Sequence, residues 1–147
     1  MAGARIKIEG LRALEEALGA LPKATGKNVL RRVAFARLQP VAEAMRQRAP
    51  VDDADLVESI TVTTKSPTKR YRKQSTVEAH AGPGRNPQGV LQEFGTVNHA
   101  PQAFARPSWD AEADAIPEGV GEDLWAEISK AADRLARKAA RSAARGS

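Results

Sequence analysis

The stretch Glu93-Phe94-Gly95-Thr96-Val97-Asn98-His99-Ala100-Pro101-Gln102-Ala103-Phe104-Ala105-Arg106-Pro107 decides how the rest of the chain is read. It holds two of the three phenylalanines of an aromatic-poor protein, together with Gly95, two prolines and one of the two histidines. Gly95 can take a positive φ and end a short helix, while Pro101 and Pro107 fix the path of the loop over residues 95–107. An ordered loop with apolar anchors is a candidate binding element. The competing expectation is structural, with Phe94 and Phe104 plugging the core from the two ends of the loop.

Working outward, Asn86-Pro87 predicts the start of the helix that Gly95 ends. Asn86 caps it, Pro87 sits in its first turn, and Val90, Leu91 and Phe94 are expected to face inward. The preceding Gly82-Pro83-Gly84-Arg85 has neither a Gly-Lys-Ser/Thr ending nor a G-x-G-x-x-G pattern, so it reads as turns and not as a phosphate loop. Ser59 to Thr64 alternates and is rich in β-branched residues, which predicts a strand. Ser75 to Ala81 reads as its partner, with Val77, Ala79 and Ala81 on one face and His80 turned to solvent. The hairpin loop between them, residues 65–74, carries Lys65, Lys69, Arg70, Arg72 and Lys73 around Tyr71 and is too long for a tight turn.

Toward the N-terminus, Arg5 to Glu9 alternates like a short strand or extended arm. Leu11, Leu14, Leu18 and Leu21 then form a helical stripe that Pro22 stops. Thr25 is the expected cap of a longer helix reaching about Ala49, with Val29, Leu30, Val33, Ala34, Val41 and Met45 as its apolar positions. Pro40 inside it predicts a kink, or two helices meeting at Gln39. Asp52, Asp53 and Asp55 crowd the next helix start. Helix capping accounts for them better than a Mg²⁺ or Ca²⁺ site, because the spacing of a calcium loop is missing. Toward the C-terminus, Trp109, Ala113, Ile116, Val120, Leu124, Ile128, Ala131 and Leu135 share a helical stripe. Pro117, Gly119 and Gly121 predict a break within 116–121, and a basic tail occupies 136–147. The fold class is α+β: two N-terminal helices and a long interrupted C-terminal helix packed on a small antiparallel β-sheet.

The 147 residues, 41% hydrophobic and 28% charged, suit one domain spanning 1–147 with a real core. There is no cysteine, which removes disulfides, thiol chemistry and the usual zinc-finger ligands. No apolar run is long enough to span a membrane, and the first residues do not read as a signal peptide, so the expected place of synthesis is the cytosol. The net charge of +5 is segregated. Lys23 to Arg48 has seven bases against one acid, and Asp110 to Asp123 has six acids and no base. Such blocks favour contacts between copies, basic surface on acidic surface, unless they are merely solvated faces.

A catalytic inventory is missing. His80 and His99 fall on different elements and neither has the neighbours of a triad, so no enzyme and no cofactor is expected. Glu93 beside an apolar helix could carry a raised pKa, as any acid in a cleft could transfer a proton; the ordinary expectation is that it pairs with a backbone N–H or with an Arg such as Arg106. The basic loop with Tyr71 allows a nucleic-acid reading. Recognition motifs and stacking aromatics are lacking, however, so such binding would be blind to sequence and sensitive to salt.

Two blocks carry a family resemblance. Glu93-Phe94-Gly95-Thr96 with Ala100-Pro101-Gln102-Ala103-Phe104-Ala105-Arg106-Pro107 resembles the signature of neck or tail-completion proteins of long-tailed bacteriophages and prophages. Arg48-Ala49-Pro50-Val51-Asp52-Asp53-Ala54-Asp55-Leu56-Val57-Glu58-Ser59-Ile60 is similar to the same family's Pro-Val-Asp-Thr-Gly-x-Leu-x-x-Ser-Ile stretch. Asp53 and Ala54 stand in place of Thr-Gly, and Ala103 in place of a usual Pro.

The resemblance implies a structural virion protein, a single head–tail joining domain made in the host cytoplasm. It would form a ring, taken as six copies, at the neck and let DNA pass. Its partners would be a head-side connector or stopper and the tail tube or tail terminator, with nonspecific contact to packaged double-stranded DNA and none to a membrane. The alternatives are a terminator capping the tail tube, or a sequence-nonspecific basic DNA-binding protein. Candidate interface residues are Glu93, Phe94, Gly95, Thr96, Phe104, Arg106 and Pro107. Lys65, Lys69, Arg70, Tyr71, Arg72 and Lys73 would either dock on acidic protein or line a DNA lumen. Docking is preferred, because a gripping collar would oppose the sliding of the genome.

Overall fold

Leucines at helical spacing wind the first described element, α1 (Leu11–Gly19), and the order that follows is α2 (Lys23–Arg48), α3 (Ala54–Ser59), β1 (Thr61–Thr63), β2 (His80–Gly82), α4 (Pro87–Phe94), α5 (Ala105–Glu112), a 3₁₀ turn (Ala113–Ala115) and α6 (Ile116–Arg145). This computed structural model describes residues 11–51, 54–66, 70–73 and 75–146. The expected arm at Arg5 to Glu9, Asp52 and Asp53 of the acidic cluster, and Lys69 of the basic loop lie outside the described residues. The α+β class is as expected, mostly helical with one small antiparallel sheet.

The chain divides into two compact units. One takes the described residues up to Val33 and from Pro117 onward; the other runs from Ala34 to Ile116. In the first, Leu14, Val29, Ile128 and Ala131 are buried together, with Ala17, Leu18, Leu21 and Leu124 packed around them. Arg32 and Glu127 add an ion pair at 3.3 Å. The helix α2 begins two residues before its expected cap: the Gly26 N–H donates to the carbonyl of Pro22 at 2.9 Å, so Thr25 lies within the helix.

The second unit has its own core of Val41, Ala42, Met45, Ala49, Leu56, Ile60, Val62 and Phe104, joined by Leu38, Val57, Ala81, Ala105 and Ile116. Pro40 does not divide α2, which continues through it as a single element despite lacking the N–H that would bond Ala36. Burial of Val41, Ala42 and Met45 just beyond the proline offsets that loss. Arg46 fastens α3 to α2: its Nε and Nη2 donate to the carbonyl of Ile60 at 3.1 and 2.7 Å. Asn86 caps α4 as its sequence predicts, accepting from the Gln88 N–H at 3.0 Å, and its amide also donates to Ser59 Oγ at 3.3 Å.

Three further expectations are corrected. The second strand is three residues at 80–82, paired Thr61 to Gly82, Val62 to Ala81 and Thr63 to His80, and not the longer 75–81. A side chain competes with the ladder there: Glu78 Oε1 accepts the Ser75 N–H at 3.1 Å and closes a local turn. The C-terminal break comes earlier than 116–121, in the 3₁₀ turn at 113–115. Pro117 falls in the first turn of α6, where its missing N–H costs no helix bond, so it starts a helix instead of breaking one.

The third correction concerns α4. Val90, Leu91 and Phe94 are exposed, and the buried residue of the helix is Gly89. A Cβ on Gly89 would lie 2.4 Å from Pro83 Cγ, so the helix rests on its glycine. Glu93 follows Gly89 by four residues and shares that face, which turns Val90 and Phe94 about 100° away from it.

Phe104 is 1% exposed and is the largest fully buried side chain. Truncation of Phe104 to Ala is expected to cost about 3–5 kcal/mol by chemical denaturation. A variant that unfolds like the wild type yet fails to assemble would instead make Phe104 an interface residue.

Candidate interaction site

The corner between α4 and α5 is built from one carboxylate. An α-helix leaves its first four backbone N–H groups without internal partners. For α5 these belong to Phe104, Ala105, Arg106 and Pro107. Glu93 Oε2 accepts from Phe104 N at 2.8 Å and Ala105 N at 2.9 Å, and Glu93 Oε1 accepts from Arg106 N at 2.9 Å. Pro107 has no N–H to satisfy. All the donors at this helix start are therefore used, and Phe104 is delivered into the core directly beneath them. A negative charge at a helix N-terminus is also favoured by the helix dipole.

Burial alone would raise the pKa of Glu93. The N–H groups of Ala105, Arg106 and Phe104, helped by the charge of Arg106, outweigh it and hold the carboxyl below its ordinary value. A raised pKa suited to proton transfer at this residue is thus overturned, and the ordinary pairing expectation holds.

The loop between the two helices is closed at both ends. Gly95 has φ 74°, and its N–H donates to the Leu91 carbonyl at 2.8 Å. A Cβ there would meet Pro101 N at 2.7 Å and the His99 carbonyl at 2.8 Å, so only glycine fits. Thr96 N donates to the His99 carbonyl at 2.8 Å, and Gln102 N to the Gln92 carbonyl at 2.7 Å. On the outside of this fixed corner stand Phe94, 68% exposed, with Val90 one turn earlier and a fully exposed Val97 three residues later. The two phenylalanines therefore divide the two expected roles: Phe104 is core and Phe94 is surface. Thr96 and Arg106 are exposed beside Phe94, and Pro107 is half-buried.

In the basic loop, Lys65, Arg70, Arg72 and Lys73 are exposed. Tyr71 is tethered within the chain: its hydroxyl donates to Glu78 Oε2 at 2.7 Å, and its ring meets His80 edge-on at 5.3 Å. The hydrogen bond to Glu78 raises the tyrosine pKa, with desolvation and the carboxylate charge adding to it. Next to the loop, the open side of the sheet borders a groove of about 760 Å³ with Thr61, Thr63, Lys65, His80, Pro83 and Arg85 among its lining. Among the described residues, no acidic side chain lines it.

Among the described residues, no group of three His, Cys, Asp or Glu side chains could hold a metal ion. Residues that the sequence reading did not single out are Arg46, Gly89 and Ser108. Ser108 is fully buried and returns its hydroxyl to the Phe104 carbonyl at 2.6 Å. For Gly89 the available signal was a glycine in the first turn of a helix that has a proline six residues upstream.

Comparison with known families yields a match. The model of the HK97-gp10-like family, described as "Bacteriophage HK97-gp10, putative tail-component", matches residues 12–95, more than half of the chain. The match covers α1 through α4 up to Gly95, including Glu93, and ends before α5. No curated protein and no solved structure matches at a significant level.

Because the pKa of Glu93 is lower in the folded than in the unfolded chain, its contribution to stability is present above the unfolded value, about 4.3, and is lost as pH falls through the folded value. Glu93→Gln is expected to destabilise by about 1–3 kcal/mol at pH 7. Urea denaturation should show the gap to wild type shrinking below about pH 4. A gap that is equally large at pH 3 and pH 7 would contradict the charge-based clamp.

Proposed function

We propose that this chain, which belongs to the HK97-gp10-like family of bacteriophage tail components, forms a ring at the junction of head and tail, taken as six copies, through which the genome passes. As a member of that family it is a structural component of the phage tail. The observation that carries the finer reading is the pairing of a rigid corner with an exposed aromatic. Glu93 and Gly95 fix the backbone on both sides of Phe94, so the ring is presented at little further cost in order. Aromatic side chains on rigid supports are the usual anchors of protein interfaces. Val90 and Val97 extend the apolar surface around it.

Charge supplies orientation. The exposed cations at Lys65, Arg70, Arg72 and Lys73, continuous with the groove at Arg85, suit an acidic protein surface. The acidic run from Asp110 to Asp123 of another copy is such a surface, and heterologous contacts of this kind close into rings. The ring would contact a head-side connector or stopper on one side and the tail tube or its terminator on the other. A place in the terminator layer itself is the second reading.

The test is a phage carrying Phe94→Ser with Val97→Ser. The purified variant should unfold within about 0.5 kcal/mol of wild type, as surface substitutions do. Filled heads and finished tails should accumulate without joining. Joined, infectious particles would end the proposal. Replacing Lys69, Arg70, Arg72 and Lys73 by Ser should give the same unjoined heads and tails if the loop docks on protein. Joined particles that leak DNA would place the loop in the lumen.

A further inference from the structure

The distal half of α6 has a second kind of surface, and it does not resemble the Phe94 corner. From Ala132 to Arg145 every residue except Leu135 is exposed. Arg134, Arg137, Lys138, Arg141 and Arg145 lie in this half, with exposed Lys130 just before it. At about 100° per residue they all fall within about 100° of arc, so six cations share one face of a helix. The row is about 22 Å long at 1.5 Å per residue. Lys130 is paired with Glu127 at 3.7 Å, while none of the other five has an acidic partner among the described residues.

The helix dipole accounts for cations only in the last turn, and Arg134, Arg137 and Lys138 stand further in. The near end of the row opens on a cleft of about 240 Å³ bordered by α2. Arg134 and Lys138 meet Thr25, Asn28 and Arg32 there. Arg32 is already held by Glu127, so Arg134 and Lys138 supply the uncompensated charge and the Thr25 hydroxyl and Asn28 amide supply neutral donors.

We infer that this face binds the phosphate backbone of double-stranded DNA without regard to sequence. The chemistry separates a polyanion from a protein partner. Protein interfaces take aromatic anchors and avoid lysine at their centres, whereas DNA-binding surfaces are polar and strongly cationic. Within the arc of the basic face of α6 no aromatic side chain stands between the charges; half-buried Leu135 and Asp133 lie off its two edges, and alanine and serine fill the rest of the exposed surface. The row is straight and long enough to follow several successive phosphates, and the cleft at its near end accepts one more. No motif for reading base edges accompanies it. This inference stands apart from the proposed ring, because it needs only a single chain.

The experiment uses the full chain and a short duplex over a series of salt concentrations. With about five phosphates neutralised, log K against log salt should have a slope of about −4 to −5, and duplexes of unrelated sequence should compete equally. The variant R134Q/K138Q/R141Q/R145Q should lose at least about 100-fold in affinity at low salt, with the slope falling toward −1. The charge-keeping variant R134K/R141K/R145K should bind like wild type, and circular dichroism should show both variants as helical as wild type. Glutamine substitution of Lys65, Arg70, Arg72 and Lys73 should leave most of the slope. Unchanged binding by the α6 glutamine variant, or poly-glutamate of matched charge binding more tightly than the duplex, would overturn the inference. So would loss of binding by the charge-keeping variant.

Discussion

A helix start with four unpartnered donors is expensive to place against a core, and the 34–116 unit solves that at α5 with one carboxylate and one proline. Glu93 takes three N–H groups and Pro107 removes the fourth. The geometry this imposes reaches outward in several directions. Phe104 can be the cap residue and a large buried core side chain at once, because its own N–H is satisfied by Glu93 while its ring is buried. Gly95 must turn with a positive φ so that the loop can return over it, where Pro101 and His99 leave no room for a side chain. On α4, the face that carries Gly89 and Glu93 is committed inward. Phe94 is left outside by the same constraint that puts Phe104 inside.

Much of this was legible in the sequence where the signal was local. Asn86, Pro87 and Gly95 delimit α4 by their own backbone chemistry, and the leucine stripe places α1. What the sequence did not disclose depends on who approaches whom. An apolar Val90-Leu91 followed by Phe94 looks like an inward stripe until Gly89 is seen resting on Pro83. Ser75 to Ala79 alternates like a strand, but the Glu78 side chain closes a turn first. Pro117 looks like a breaker, and only its position in the first turn of a helix makes it a starter. The pairing of Glu93 with α5 was legible in kind, since a backbone N–H or Arg106 was the ordinary expectation. That one carboxylate serves three donors follows from the fold. The signature residues Glu93, Gly95, Arg106 and Pro107 are thereby explained as parts of one corner, with no catalytic role needed for any of them.

The exposed surfaces differ in their chemistry. The Phe94 corner is apolar and rigid, suited to a shaped protein partner. The groove beside the sheet and the exposed basic loop are cationic and mixed with neutral polar groups. The distal half of α6 carries a row of cations, five of them without an acidic partner among the described residues. A structural component of a phage tail has to contact neighbouring proteins, and these surfaces offer such contacts different chemistries.

We propose that the Glu93 corner presents Phe94 to another protein at the head–tail joint. The most direct measurement is a reconstruction of that joint in the assembled particle at side-chain resolution. A closed ring of this chain is expected there, with Phe94 buried against a neighbouring subunit or an adjoining ring. A Phe94 left in solvent within such a ring, or the chain found as an isolated copy elsewhere in the particle, would contradict it.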